Sequence, residues 1–193
     1  MTGRTIEELV VGDTAEITKQ ITAETIREFV ETTGDDNPIH SDAAFAATTR
    51  FGQIIAPGIL TGGLISAVIG TRLPGPGTIY LSQAFRFLRP VYIGDTITAR
   101  VEVTDVVRER NRLSLRTVCL NQRGEPVLEG EAWIMPSRQH IEYEAPEHRP
   151  GAWAMAYAPA TLAMQAMSFW ATSGLTFAAE LLKLWEARPA ARS

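Results

Sequence analysis

The spacing of hydrophobic and polar residues changes several times along the chain, and each change predicts an element. Thr14, Ala15, Glu16, Ile17, Thr18 and Lys19 alternate, which predicts a half-buried strand after a turn at Gly12 and Asp13. Ile26, Phe29, Val30 and Thr33 then recur at helical spacing, with Thr22 placed as the N-cap, Glu24 in the first turn and Gly34 as a left-handed terminator. Ser41 is expected to cap a short helix through Ala43, Ala44, Phe45 and Ala46. No charge occurs between Arg50 and Arg72. A helix opening near Gly58 and apolar on nearly every side is expected there, buried in the middle of the domain, with Gly58, Gly62, Gly63 and Ser66 letting it lie close against a sheet. After Gly77 the period returns to two. One strand runs from Ile79 through Phe87, a turn falls at Gly94 and Asp95, and Ile97, Ala99, Val101 and Val103 alternate with polar residues. Two more strands are expected, from about Leu113 to Leu120 and from about Val127 to Met135, joined at Gly124, Glu125 and Pro126. Long antiparallel strands following a buried helix make an α+β domain whose curved sheet wraps round that helix.

Past Pro136 the pattern changes. The reading divides the chain into a domain over residues 1–136, a polar, proline-containing linker over 137–158 and an amphipathic helix over 159–188. Met164, Met167, Ala171, Leu175, Ala178, Leu182 and Trp185 fall at spacings of three and four, opposite Gln165, Ser168, Thr172, Thr176, Glu180 and Lys183. Three fates compete for this tail. It could pack on the domain or on a second copy, lie on an apolar surface such as a lipid layer or a polyester granule, or span a membrane; Ser, Thr, Gln and Gly174 make it too polar to favour the last.

Composition narrows the picture. A chain of 193 residues with 45% hydrophobic and 21% charged residues is long enough for one substantial core. A net charge of −4 and a pI near 5.4 argue against nucleic acid as a partner. The single Cys119 cannot form an internal disulfide, and the first residues do not read as a leader peptide, so a cytoplasmic protein is expected. His40, His140 and His148 are too far apart to read as metal ligands, and no phosphate-binding glycine fingerprint is present. Neither a metal nor a cofactor is expected.

The chemistry concentrates in Gly34, Asp35, Asp36, Asn37, Pro38, Ile39 and His40. Pro38 disfavours helical backbone at Asn37, so the stretch is expected to be a tight exposed turn in which Asp35 and His40 face each other. One base and one acid holding a water between them suffice to add or remove water. Taken singly, Asp and Asn before a proline are ordinary turn formers and a loop histidine is ordinarily solvated. Their order and context carry the functional reading.

That run, preceded by Phe29 and followed by Ala46, resembles the G-D-x-N-P-x-H signature of MaoC-like (R)-specific enoyl-CoA hydratases. The segments Phe45 to Phe51, Leu73 to Leu81 and Pro90 to Asp95 extend the resemblance to the short-chain hydratases of polyhydroxyalkanoate synthesis, over roughly residues 8 to 136. The resemblance implies a single hot-dog fold and a homodimer joined edge to edge. It also implies that Asp35 and His40 hold the water that adds to C3 of a trans-2-enoyl-CoA, giving the (R)-3-hydroxyacyl-CoA. The backbone N–H of Gly58, at the start of the central helix, is expected to polarise the thioester carbonyl. Asn37 is expected to fix the loop, with a contact to the water as its second role. The alternative function is a non-catalytic acyl-thioester-binding or granule-associated protein. A hot-dog thioesterase fits less well, because this loop is not its signature.

The chain departs from the family pattern at two positions. Pro57 stands where a histidine is common, and Gly63 stands where close relatives carry a serine near the catalytic aspartate; Thr61 points elsewhere on the helix and is not counted as its replacement. Arg100, Arg108, Arg110, Arg112 and Arg116 offer charge for coenzyme A phosphates, though a solvated strand face explains most of them.

Overall fold

The computed structural model describes residues 1–144. The expected linker beyond residue 144 and the tail helix over 159–188 lie outside the described residues.

Strand β1 (Thr2–Gly3) and a 3-10 turn at Ile6–Glu8 precede strand β2 (Thr14–Gln20). Helix α1 (Ala23–Thr33) follows, started by the Thr22 hydroxyl, which accepts from the N–H of Thr25, and stopped by Gly34 at φ 71°, as the pattern requires. Helix α2 (Ala43–Thr48) is capped by Asp42 rather than by Ser41. One carboxylate oxygen of Asp42 accepts from the N–H groups of both Ala44 and Phe45, which a serine hydroxyl one residue earlier does not reach. The central helix α3 spans Gly58–Thr71. Strands β3 (Ile79–Phe87), β4 (Thr96–Val107), β5 (Arg112–Leu120) and β6 (Pro126–Met135) complete a five-stranded antiparallel sheet in the order β2-β4-β5-β6-β3. This is the hot-dog arrangement.

The two sheet faces differ. Ile97, Ala99, Val101 and Val103 on β4, Leu113, Leu115 and Cys119 on β5, and Leu128, Ala132 and Ile134 on β6 are buried with Leu64, Ile65, Val68 and Ile69 of α3. The opposite face carries ion pairs between residues directly opposed in register: Glu16 with Arg100, Glu102 with Arg116, and Arg86 with Glu129. Each such pair contributes on the order of 0.2–1 kcal/mol and discourages a one-residue slip, which would carry these charges into the core.

Helix α3 is less enclosed than its composition predicts. Ile59, Gly63, Ser66 and Gly70, at spacings of four, three and four, form an exposed stripe, because the sheet covers the opposite side only. The edge strand β3 is also open, with Ile79, Leu81 and Phe87 at 51%, 40% and 51% exposure. Residues 137–144, expected to begin the linker, instead return to the N-terminus. Strand β7 (Ile141–Glu142) pairs with β1, the Met1 amino group donates to the Tyr143 carbonyl at 2.6 Å, and His140 Nδ1 lies 2.8 Å from Glu8 Oε1. The compact unit accordingly runs from Met1 to Glu144, eight residues past the expected boundary at 136.

Candidate active site

Residues Gly34 to His40 are not wholly irregular. Pro38–His40 form one 3-10 turn, with Pro38 at its first position and Asn37 as its cap. The proline excludes α-helix at Asn37 but suits the start of a turn, where no N–H is needed. Asn37 Oδ1 accepts from the Ile39 N–H at 3.3 Å, so Asn37 fixes the loop.

Asp35 and His40 are each held by one atom and present the other. Asp35 Oδ1 accepts from the Asn37 N–H at 3.4 Å. His40 Nδ1 lies 2.7 Å from the Ile55 carbonyl, which can only accept, so Nδ1 carries a proton and in the neutral tautomer Nε2 holds the lone pair. Nε2 and Asp35 Oδ2 stand 3.8 Å apart, too far for a direct hydrogen bond. The imidazole is 10% exposed and the carboxylate 43%, so the pair sits where a buried wall meets solvent.

The segment before α3 ties this loop to the rest of the cleft. The Ile55 N–H donates to the Ile39 carbonyl at 3.3 Å, and the Ala56 N–H to the Val91 carbonyl at 2.8 Å. Pro57 is the N-cap, at φ −54° and ψ 133° with no side-chain cap. Gly58 is therefore the first helical residue, and its N–H has no acceptor among the described residues. A side chain there would press on a ring of the edge strand. A Cβ there would stand 2.9 Å from Phe87 Cε1, and one at Gly62 would stand 2.7 Å from Phe85 Cε2.

His40 and Gly58 line one cleft of about 250 Å³, with Phe51, Thr61, Phe87 and Val127 among its walls. A larger concavity of about 1050 Å³ lies on the outer sheet face among Arg86, Arg100, Glu102, Arg116 and Glu129; it contains none of Asp35, His40 and Gly58, and its charges are engaged in cross-strand pairs.

The model of the MaoC-like domain matches residues 11–121. The chain belongs to that family. Over 137 residues this MaoC-like chain is 47% identical to a 3-hydroxybutyryl-CoA dehydratase of Methylorubrum extorquens, covering 70% of this chain and 87% of the relative. It is 46% identical to an (R)-specific enoyl-CoA hydratase of Rhodospirillum rubrum, over 68% of this chain and 92% of that one. Among solved structures, the unliganded (R)-hydratase PhaJ1 of Pseudomonas aeruginosa superposes with a TM-score of 0.73 at 45% identity, over 77% of this chain and 96% of that one.

Within this MaoC-like domain, the family departures read differently in three dimensions. Gly63 is on the exposed stripe of α3, outside the cleft, and a Cβ there would meet nothing within 4 Å. Thr61 is 2% exposed and lines the cleft. Thr61, Phe87, Arg50 and Arg89 are among the cleft residues that sequence reasoning did not place there. Their one available signal was membership of, or closeness to, the segments that resemble the family, because the cleft is closed by contacts across long stretches of chain.

Proposed function

We propose that this chain is an (R)-specific enoyl-CoA hydratase, converting a trans-2-enoyl-CoA to the (R)-3-hydroxyacyl-CoA and catalysing the reverse dehydration. The single observation that carries this reading is the gap of 3.8 Å between His40 Nε2 and Asp35 Oδ2, with His40 lining the same cleft as Gly58. A water oxygen about 2.8 Å from each spans the gap. Its two hydrogens donate to Oδ2 and Nε2, which leaves an oxygen lone pair for attack.

In the forward direction the water oxygen bonds to C3 as the pair takes one proton. The C2–C3 π electrons move toward the thioester, whose carbonyl oxygen gains enolate charge. The Gly58 N–H is the donor for that charge, reinforced by the positive end of α3. The enolate collapses as C2 receives a proton from the pair, so the water is consumed and both side chains return to their starting states. Delivery of oxygen and proton from one face follows from one pair serving both steps. Asn37 supports this as the residue that fixes the loop.

We assign β3 to the interface of a homodimer, in which the open edge pairs with the same strand of a second copy and covers Ile79, Leu81 and Phe87. The tail over 159–188 is assigned to assembly or to contact with a lipid or polyester surface. Deletion after Pro150 followed by a sizing column tests the first of these roles.

The decisive experiment follows loss of enoyl-thioester absorbance from crotonyl-CoA with wild type, Asp35→Asn and His40→Ala, and resolves the product on a chiral column. Loss with wild type alone, giving the (R) product, is expected. Release of free coenzyme A would mean hydrolysis, and an inert folded protein would leave a thioester-binding role.

A further inference from the structure

The arginines nominated from sequence for the phosphates of the substrate are not at the cleft. Arg100, Arg108 and Arg116 are paired with Glu16, Glu7 and Glu102, and Arg110 and Arg112 line a separate depression with Leu81 and Trp133. Two others are there instead. Arg50 and Arg89 line the same cleft as His40 and Gly58, from opposite sides in sequence, one just after α2 and one just after β3.

Neither has a carboxylate partner among the described residues. The Arg50 guanidinium lies 4.8 Å from the centre of the Phe51 ring, which orients it without neutralising it. Arg89 donates through Nη1 to the Pro126 carbonyl at 2.6 Å, leaving its other donors free. Its acidic neighbour Glu125 is held at 2.9 Å by Asn121 and at 2.8 Å by Arg123, and these contacts, with Arg89 as the smallest contributor, keep that carboxyl below its ordinary range. No Asp or Glu lines the cleft, so two anchored guanidiniums without a direct carboxylate contact stand where thioester chemistry needs none. Free guanidinium donors are well matched to phosphate oxygens.

We propose that Arg50 and Arg89 form the phosphate-reading rim of the cleft, holding the phosphorylated end of a pantetheine thioester while its carbonyl reaches Gly58. This deepens the hydratase reading and rests on it for the identity of the thioester. Its prediction is separate: the two arginines recognise the phosphates of the carrier and are blind to the acyl group.

The test compares crotonyl-CoA with crotonyl-pantetheine, the same acyl thioester without phosphate, for wild type, Arg50→Ala, Arg89→Ala and the double variant. KM for crotonyl-CoA is expected to rise about fivefold for each single variant and roughly twenty-fivefold for the double, with kcat retained. For crotonyl-pantetheine the KM ratio to wild type is expected near one. Arg50→Lys and Arg89→Lys, which keep charge but lose the planar fork, should fall between, and Arg100→Ala on the far sheet face should match wild type on both substrates. Equal rises with both thioesters, or no rise with either, would overturn the proposal. Calorimetry with unacylated coenzyme A separates the two readings. Arginine-dependent binding without turnover would remove the hydratase and keep the rim, whereas turnover with arginine-independent KM would do the reverse.

Discussion

The two walls of the cleft are made in opposite ways. The loop wall is assembled mostly from neighbours: Gly34 ends α1, Asn37 caps the turn after it and Asp42 caps α2, and one longer tie, to Ile55, holds the His40 ring. The helix wall is assembled from distant parts. Gly58 admits the ring of Phe87 from a strand more than twenty residues later, as Gly62 behind the cleft admits that of Phe85, and Val127 joins from β6. Local hydrogen bonds give the first wall its chemistry, and close packing gives the second its shape. The first should therefore fail mainly in activity and the second in activity and stability together.

The largest effect should come from the loop wall. Asp35→Asn and His40→Ala are each expected to lower kcat on the order of 10²- to 10⁴-fold, with an unfolding midpoint in urea close to wild type. A large stability loss with either would mean that the pair is structural. On the helix wall, Gly58→Ala places a Cβ against Phe87 and moves the N–H assigned to the carbonyl. A drop of roughly tenfold to a hundredfold in kcat is expected. Phe87→Leu in the same chain should return part of it, since the ring and not the methyl is what the helix must avoid.

Gly62→Ala isolates packing from chemistry. Its Cβ would meet the Phe85 ring, and unfolding in urea should show about 1–3 kcal/mol of destabilisation, with kcat less affected than by Gly58→Ala. Asn37→Ala should cost about 0.5–2 kcal/mol and lower kcat by less than either Asp35→Asn or His40→Ala, because Asn37 orders the loop that carries them. The smallest effect belongs to neither wall. Burial pushes the Cys119 thiol up to about 12, so folding favours its neutral form. That contribution is fully present below the ordinary thiol range and is lost as pH rises from there toward 12. Wild type should therefore lose stability relative to Cys119→Ala over that window, as followed by thermal unfolding at stepped pH.

Much of this was legible in the chain. Thr22 and Gly34 bound α1 as read, and the strands over 79–87, 96–107, 112–120 and 126–135 lie within a few residues of their expected limits. Asp35 and His40 do face each other, since a cap, a proline and a left-handed glycine leave the loop few conformations. The misreadings have physical causes. Ser41 and Asp42 are both good caps, and only the Asp42 carboxylate reaches two N–H groups at once. Polar residues 137–144 look like a linker until β1 offers them a strand to pair with. Gly63 and Thr61 exchange importance because helical rotation places one outside and one inside a cleft whose other side is set by β3 and β6.

What the sequence determined by itself was therefore the periodic and the local: strand alternation, helix ends, and an acid and an imidazole brought together across one short turn, although the ring's orientation also needs the Ile55 carbonyl fifteen residues on. Which arginines are spent in cross-strand pairs and which stay free at the cleft was decided only by the register of the sheet. The same tertiary packing decided which glycines receive a phenyl ring. Both depend on residues at least fourteen positions apart meeting at van der Waals or ion-pair distance, and no local pattern along the chain encodes such a meeting.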